Sequence, residues 1–293
     1  MEGQSPFGVI LWMKLVPLRG GGPAMGKESA WWKQGFLLEW KGMVKIREVQ
    51  AKSILNKSKI FDYCVNAYIG CQVNCRYCYA RLFMRRYSGH SEPWGAFVDI
   101  KVNAPEVLRK QVVRARKGTV WLSSVCDPYQ PLEEKYRLTR QCLSILADAR
   151  FPVNLQTKMA LVLRDLDIIE KFERIEVGMT LTTDDERIAR MFEPRASPVE
   201  ERIAALERIH SRGISTFAFV GPLLPGGPRR LISALAGKVN KVRVDRMNYM
   251  DTVVGLYRKL GLSQAATDRF FREQARSIAR EAARVGLPCE VLF

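Results

Sequence analysis

From about residue 60 to residue 245 the chain alternates short apolar runs of β-forming residues with amphipathic stretches of helical period. That rhythm restricts it to folds built on a parallel sheet with crossover helices. Strands are expected at Cys64–Ile69, Phe97–Val102, Thr119–Ser124, Pro152–Gln156, Ile175–Leu181, Ile214–Val220 and Val239–Val244. Helices are expected at Tyr79–Tyr87, Pro105–Arg116, Thr139–Ala149, Arg164–Phe172, Asp184–Met191, Pro198–Arg212 and Pro228–Ala236. Ile203, Leu206 and Ile209 carry the spacing of a buried helix face; Asp184 and Ser197–Pro198 mark helix starts, and Gly213 marks an end. About six β/α units fit, fewer than the eight of a closed barrel. The expected fold is α/β: a partial (β/α)6 TIM-type barrel with parallel strands over residues 43–245, then a C-terminal helical extension, 246–293, whose long helix covers Ser263–Val285.

Residues 1–42 break the rhythm. They hold Gly20–Gly21–Gly22–Pro23 and Trp31–Trp32 without a sustained period and read as a loose N-terminal extension; Met25 and Met43 are alternative starts, which would leave part of it outside the natural protein. Gly21, Gly26 and Lys27 match the front of a phosphate-binding loop. Glu28 stands where Ser or Thr should ligate magnesium, and no apolar strand leads in, so the match is rejected. No run of about eighteen apolar residues predicts a transmembrane helix. The apolar stretch Phe7–Met13 is short and lacks a basic flank, which argues against a secretory signal. A cytoplasmic location without a membrane partner is expected.

Seven cysteines are present, and three of them, Cys71, Cys75 and Cys78, form C-x3-C-x2-C. A secreted disulfide framework would be even in number and spread out. The tight group points to a metal or Fe–S site in a reducing compartment. It sits on a loop between an expected strand and an expected helix, where α/β proteins place ligand sites. A structural zinc ion wants four ligands, usually as two separated pairs. No second cysteine pair exists, and the only histidines are His90 and His210. Three thiolates suit an iron–sulfide cube with one iron left without a protein ligand; the bland alternative is a structural metal knuckle. Cys64, Cys142 and Cys289 read as core residues.

The run Gly70-Cys71-Gln72-Val73-Asn74-Cys75-Arg76-Tyr77-Cys78-Tyr79-Ala80-Arg81 resembles the signature of the radical S-adenosylmethionine (SAM) superfamily. Asp127-Pro128-Tyr129-Gln130-Pro131-Leu132-Glu133, Leu138-Thr139-Arg140, Gln156-Thr157-Lys158, Leu163-Arg164-Asp165 and Glu193-Pro194-Arg195 are similar to its spore-photoproduct-lyase-like group. The resemblance implies that Cys71, Cys75 and Cys78 hold a [4Fe–4S] cluster whose open iron chelates SAM. It also implies reductive cleavage of SAM to methionine and a 5′-deoxyadenosyl radical, with an electron donor such as ferredoxin or flavodoxin.

The resemblance further places Tyr77 near the SAM adenine, Tyr79 close to SAM, and Lys158 on the SAM carboxylate, a group that suits a cation. Cys126 would stand where the lyase keeps a hydrogen-donating thiol, although the spacing differs; the alternative is a small buried hydrophobe. Strand ends supply further candidates. Thr180 and Thr182 offer hydroxyls to the ribose or carboxylate, and Arg195 offers its fork to a carboxylate unless it braces its loop with Glu193. Asp127 either accepts from the SAM amino group or ribose or caps the turn at Pro128.

Charge bears on the substrate. Lys and Arg number 47 against 30 Asp and Glu, a net +17 that attracts polyanions. Arg269, Arg272, Arg276, Arg280 and Arg284 recur at helical spacing; Arg81, Arg85 and Arg86 form a second group, and Arg109, Lys110, Arg114, Arg116 and Lys117 a third. Such stripes suit nucleic-acid phosphates, with Tyr87 or Trp94 available for stacking. The leading expectation is a radical SAM enzyme acting as a carbon–carbon lyase on a DNA lesion. The alternatives are radical modification of a peptide, tRNA or small metabolite, and a non-enzymatic Fe–S or zinc module. Replacing Cys71, Cys75 or Cys78 by Ala is expected to abolish cluster assembly while leaving the fold standing. Iron content after anaerobic reconstitution, together with far-UV circular dichroism, checks this, and a full cluster in any of the three variants refutes the ligand set.

Overall fold

Each apolar β-run that is followed by an amphipathic helix has one way to bury both, and the chain repeats it. The computed structural model describes residues 44–293, so the expectations for 1–42 lie outside the described residues. The chain begins with β1 (Lys45–Val49), β2 (Leu55–Lys57), β3 (Tyr63–Val65), β4 (Tyr68–Ile69), α1 (Ala80–Ser88), β5 (Phe97–Lys101) and α2 (Ala104–Arg114). It continues through β6 (Val120–Leu122), α3 (Leu132–Tyr136), α4 (Leu138–Asp148), β7 (Val153–Thr157), α5 (Leu166–Ile169) and β8 (Ile175–Thr180). Then come α6 (Glu186–Phe192), α7 (Val199–His210), β9 (Ser215–Val220), α8 (Pro228–Leu235) and β10 (Lys241–Val244). The last elements are α9 (Val254–Lys259), α10 (Asp268–Arg284) and β11 (Cys289–Val291).

Strands β3, β6, β7, β8, β9 and β10, six of the seven expected, lie side by side and all parallel. The sheet is open: β2 pairs antiparallel with β3 at one edge, and β11 pairs parallel with β10 at the other. The C-terminal extension is therefore not only helical. Phe271, Ala275, Ile278 and Ala282 of α10 join the same core as the strands, and the apolar tail adds a strand.

Two expectations are corrected. The run Phe97–Val102 is a strand, but not one of the main sheet. It forms a second, three-stranded sheet in the order β1-β5-β4. The cause is a break in the run Cys64–Ile69 at Asn66. The Asn66 side chain bonds Ser124 Oγ (3.1 Å) and accepts from Val125 N (3.1 Å), so the chain leaves the main sheet after Val65 and pairs as β4 with β5. The expected helix Arg164–Phe172 is shorter: a 3-10 stretch, Ala160–Asp165, leads into the one-turn α5, and the chain leaves the helix after Ile169. There Asp165 is buried and bonds both Arg164 (2.7 Å) and Arg140 (3.0 Å). A one-residue shift occurs at α6, whose cap is Asp185; Asp184 instead accepts from Gly227 N (2.6 Å).

One face of the main sheet is filled low down by an ion cluster in which Glu176 meets Lys241 (2.7 Å) and Arg243 (3.0 Å), and Arg243 meets Glu290 (2.9 Å). Phe217 lies beneath Arg243, 4.4 Å from ring centroid to guanidinium carbon, and covers Gly178, where an added Cβ would come 2.2 Å from the ring. Gly178→Ala is expected to cost about 1–3 kcal/mol through overpacking. Urea unfolding of variant and parent measures this, and equal midpoints would show that the Phe217 ring is free to move.

Candidate active site

The cysteine loop leaves β4 through Gly70, at φ +89°, where a Cβ would strike the Phe97 carbonyl oxygen at 2.3 Å. Only glycine meets both demands. The segment after β6 then grips the loop. Asp127 N donates to Cys71 Sγ (3.3 Å), Gln130 Oε1 accepts from Gln72 N (2.9 Å), Gln130 Nε2 donates to Gly70 O (3.4 Å), and Gln72 Oε1 accepts from Leu132 N (2.8 Å). This exchange of bonds between the cysteine loop and residues 127–132 is what the motif Asp127–Glu133 does structurally.

A second anchor is a buried ion pair. Arg202 of α7 donates to Glu193 Oε2 (2.6 Å), Thr180 O (2.9 Å) and Ser197 O (2.6 Å), and Tyr77 OH donates to Glu193 Oε1. Burial pushes the Glu193 carboxyl up, but Arg202, Lys158 and the Tyr77 hydroxyl hold it below its usual range. Arg202, absent from the sequence expectations, links the cysteine loop to β8 and α7.

The three thiols are free, and burial raises the pKa of each, that of Cys75 to about 12. Buried thiolates need a compensating cation, and bound iron supplies one. Among the described residues no three His, Cys, Asp or Glu side chains are drawn around one ion's position. Three thiols on one short loop are a donor set that suits an iron–sulfur cluster, whose ligands are thiolates.

Cys75, Tyr77 and Cys78 form one wall of a cleft at the C-terminal edge of the main sheet, with Gln156 and Lys158 beneath. Among the described residues the half-buried Lys158 makes no ion pair or hydrogen bond through Nζ, and it lies 5.7 Å from the Tyr77 ring centroid. Burial alone pushes its ammonium down, but charges at Cys75, Glu193 and Asp127 outweigh this and hold it above its usual value. Tyr79 stacks on Tyr249 (6.3 Å, 22°), and its hydroxyl is taken by Ser124 O. Asp245, Arg246 and Tyr249, on the loop after β10, make the opposite wall; sequence reasoning missed them because that loop has no periodic or motif signal.

The remaining predicted residues divide. Asp127 has the capping arrangement: its carboxylate accepts from Thr157 Oγ1 (2.6 Å), Lys158 N (2.8 Å) and Tyr129 N (2.9 Å). Thr180 is buried and accepts from Gln156 Nε2 (3.0 Å), which lines the cleft; the Thr182 hydroxyl is buried without a partner, outside the lining. Arg195 is exposed and also outside the lining. Cys126 packs beside Cys71, donates weakly to Tyr68 O (3.6 Å) and is pushed by burial to a pKa of about 12.

Of the basic stripes, the five arginines of α10 are all exposed, and Arg276 and Arg280 have no ion pair among the described residues. Arg81 is turned inward, donating to Arg76 O (2.8 Å) and Thr252 O (3.0 Å). The Trp94 ring packs edge-on against Phe97, whereas Tyr87 is exposed. No helix among the described residues is long and apolar enough to cross a membrane.

The chain belongs to the radical SAM superfamily, whose family model matches residues 65–232. That membership supports SAM-dependent radical chemistry by an enzyme and implies a [4Fe–4S] cluster and SAM. Over 184 residues the chain is 38% identical to an uncharacterized protein of Methanocaldococcus jannaschii, covering 62% of this chain and 69% of that one. Over 193 residues it is 32% identical to an uncharacterized protein of Mycobacterium tuberculosis, covering 62% of this chain and 57% of the relative. In fold it is similar to spore photoproduct lyase complexed with dinucleoside spore photoproduct, at a TM-score of 0.63, 14% identity, 85% of this chain and 82% of that one.

Gln130→Ala is expected to leave Gly70 O and Gln72 N unpaired. That should cost about 1–3 kcal/mol and lower the iron retained per chain. Thermal unfolding and iron assays check it; parental iron retention would remove Gln130 from the support of the loop.

Proposed function

We propose that this chain binds SAM against the cysteine loop and cleaves it reductively to act on a nucleic acid, with lyase-type repair of a DNA lesion as the outcome. The observation that carries the reading is the Lys158 ammonium, without an ion pair among the described residues, in a cleft whose wall is formed by Cys75 and Cys78. A half-buried cation whose ammonium is not taken up by a direct ion pair among the described residues can receive an anionic ligand, and the SAM carboxylate is one. When bound, the cluster and SAM together supply a 5′-deoxyadenosyl radical for hydrogen abstraction, with reducing equivalents from a ferredoxin or flavodoxin.

The chain's own residues do the rest. Tyr77, held by Glu193, offers its ring beside Lys158, a surface suited to the adenine. Cys126 is the hydrogen donor to a product radical in this reading, which is supported by its packing beside Cys71 and by the burial that pushes its thiol up to about 12. Tyr249, Trp121 and Phe219 give the cleft aromatic faces on which bases can stack. The exposed Arg272, Arg276 and Arg280 suit phosphates. The lyase of the same fold is complexed with a dinucleoside, which supports a nucleic-acid substrate.

Lys158→Ala is expected to lose one charge-assisted bond of about 1.5–3 kcal/mol, lowering SAM affinity roughly ten- to a hundredfold while iron content stays at the parental level. Equilibrium binding of SAM to the reconstituted protein measures this; parental affinity would refute the assignment. Formation of 5′-deoxyadenosine under reducing conditions tests the chemistry. Its deuterium content with labelled lesion-bearing DNA tests the substrate, and label arriving instead from a peptide or small metabolite would refute the nucleic-acid reading.

A further inference from the structure

Among the described residues Asp245 is the only carboxylate lining the cleft. It is 6% exposed, at the end of β10, with Oδ1 accepting from Arg246 N (2.8 Å) and Oδ2 from Asn248 Nδ2 (2.9 Å). Both side-chain bonds come from its own loop. Neither cation of the cleft pairs with it. The Arg246 guanidinium reaches instead to Asp268 (3.3 Å), and Lys158 lies by the Tyr77 ring. Gly221 brings the neighbouring strand end close behind it: a Cβ there would lie 2.5 Å from the Phe219 ring and 3.1 Å from Asp245 Cβ.

Burial of a carboxylate is unfavourable, and it pushes this one up to about 6 although the bonds from Asn248 and Arg246 N and the Arg246 charge pull the other way. Its side chain ties no distant element together, unlike Glu193 or Asp127. A group kept at such a cost, in a cleft and with lone pairs to spare, is suited to a ligand. The chemistry of that ligand follows from the neighbours. A carboxylate only accepts hydrogen bonds. Beside it stand Tyr249, stacked on Tyr79, and Phe219, whose faces take planar rings. An acceptor set among aromatic faces can read the N–H edge of an unstacked base.

We infer that Asp245 accepts an N–H from the edge of a substrate nucleobase that stacks against Tyr249, making it a specificity-determining residue of the cleft. This rests on the nucleic-acid reading above.

The test uses the full chain and labelled single-stranded oligodeoxythymidylate and oligodeoxycytidylate. Each is compared with a version whose base N–H is removed by methylation, at thymine N3 or doubly at cytosine N4. The parent is expected to bind at least one native strand about ten- to a hundredfold more tightly than its methylated partner, the worth of one charge-assisted bond. Asp245→Asn, which keeps the size and can still accept from Arg246 N, should erase that preference, and Asp245→Glu should restore part of it. Circular dichroism and melting confirm that both variants fold. Persistence of the preference in Asp245→Asn overturns the inference. A parallel loss of SAM affinity beyond about threefold also overturns it, by assigning Asp245 to the cofactor. If the parent binds native and methylated strands alike, the nucleic-acid reading stands and this inference falls; if it binds no strand, both fall.

Discussion

Parallel pairing of β3, β6, β7, β8, β9 and β10 sends every strand's C-terminal end to one edge of the sheet. Residues far apart in the chain, Ser124, Lys158, Thr180, Gly221 and Asp245, therefore arrive at the same rim. Side chains facing the same way on adjacent strands then fill in below them, and the Glu176–Arg243 cluster with Phe217 occupies that space. The cleft is what remains above this layer, and its composition follows from which residue ends each strand.

Such a rim would be loose without polar ties, because loops carry few backbone bonds of their own. Two ties dominate. The exchange of bonds between the cysteine loop and residues 127–132 satisfies buried amide and carbonyl groups of that loop directly. The Glu193–Arg202 pair carries two charges out of water, which is favourable only when each is fully bonded. Here the carboxylate also receives Tyr77, and the guanidinium also reaches Thr180 O and Ser197 O. The ends of β4, β6 and β8 are thus held in register with one another by side chains rather than by sheet hydrogen bonds.

The parts that were legible in the sequence were those written in periodicity or in dense local spacing. The six parallel strands follow from apolar runs, and the cysteine loop from three thiols in eight residues. Sheet membership was not legible for Phe97–Val102, because periodicity reports that a strand exists and not which neighbour it pairs with. The break at Asn66 depends on bonds to Ser124 and Val125, far along the chain. Within the site, Lys158 and Tyr77 came together in the cleft, whereas Arg195 stayed outside, one residue from the tightly used Glu193. A motif marks a segment and does not separate its inward residue from its outward one. Asp245 had no motif at all, and only the meeting of six strand ends makes it conspicuous.

The break at Asn66 leaves the cysteine loop hanging from β4, in the small sheet, while the cleft's far wall and floor are carried by β7, β9 and β10. The strands that carry the cysteine loop and those that carry the facing wall lie in different sheets, although they share one apolar core. Loops after β9 and β10 can change in length and composition without altering Gly70, Gln72 or the segment 127–133 that secures the thiols. A lineage built this way can keep one radical-generating apparatus and re-equip the opposite wall for new targets, so divergence among relatives should concentrate there.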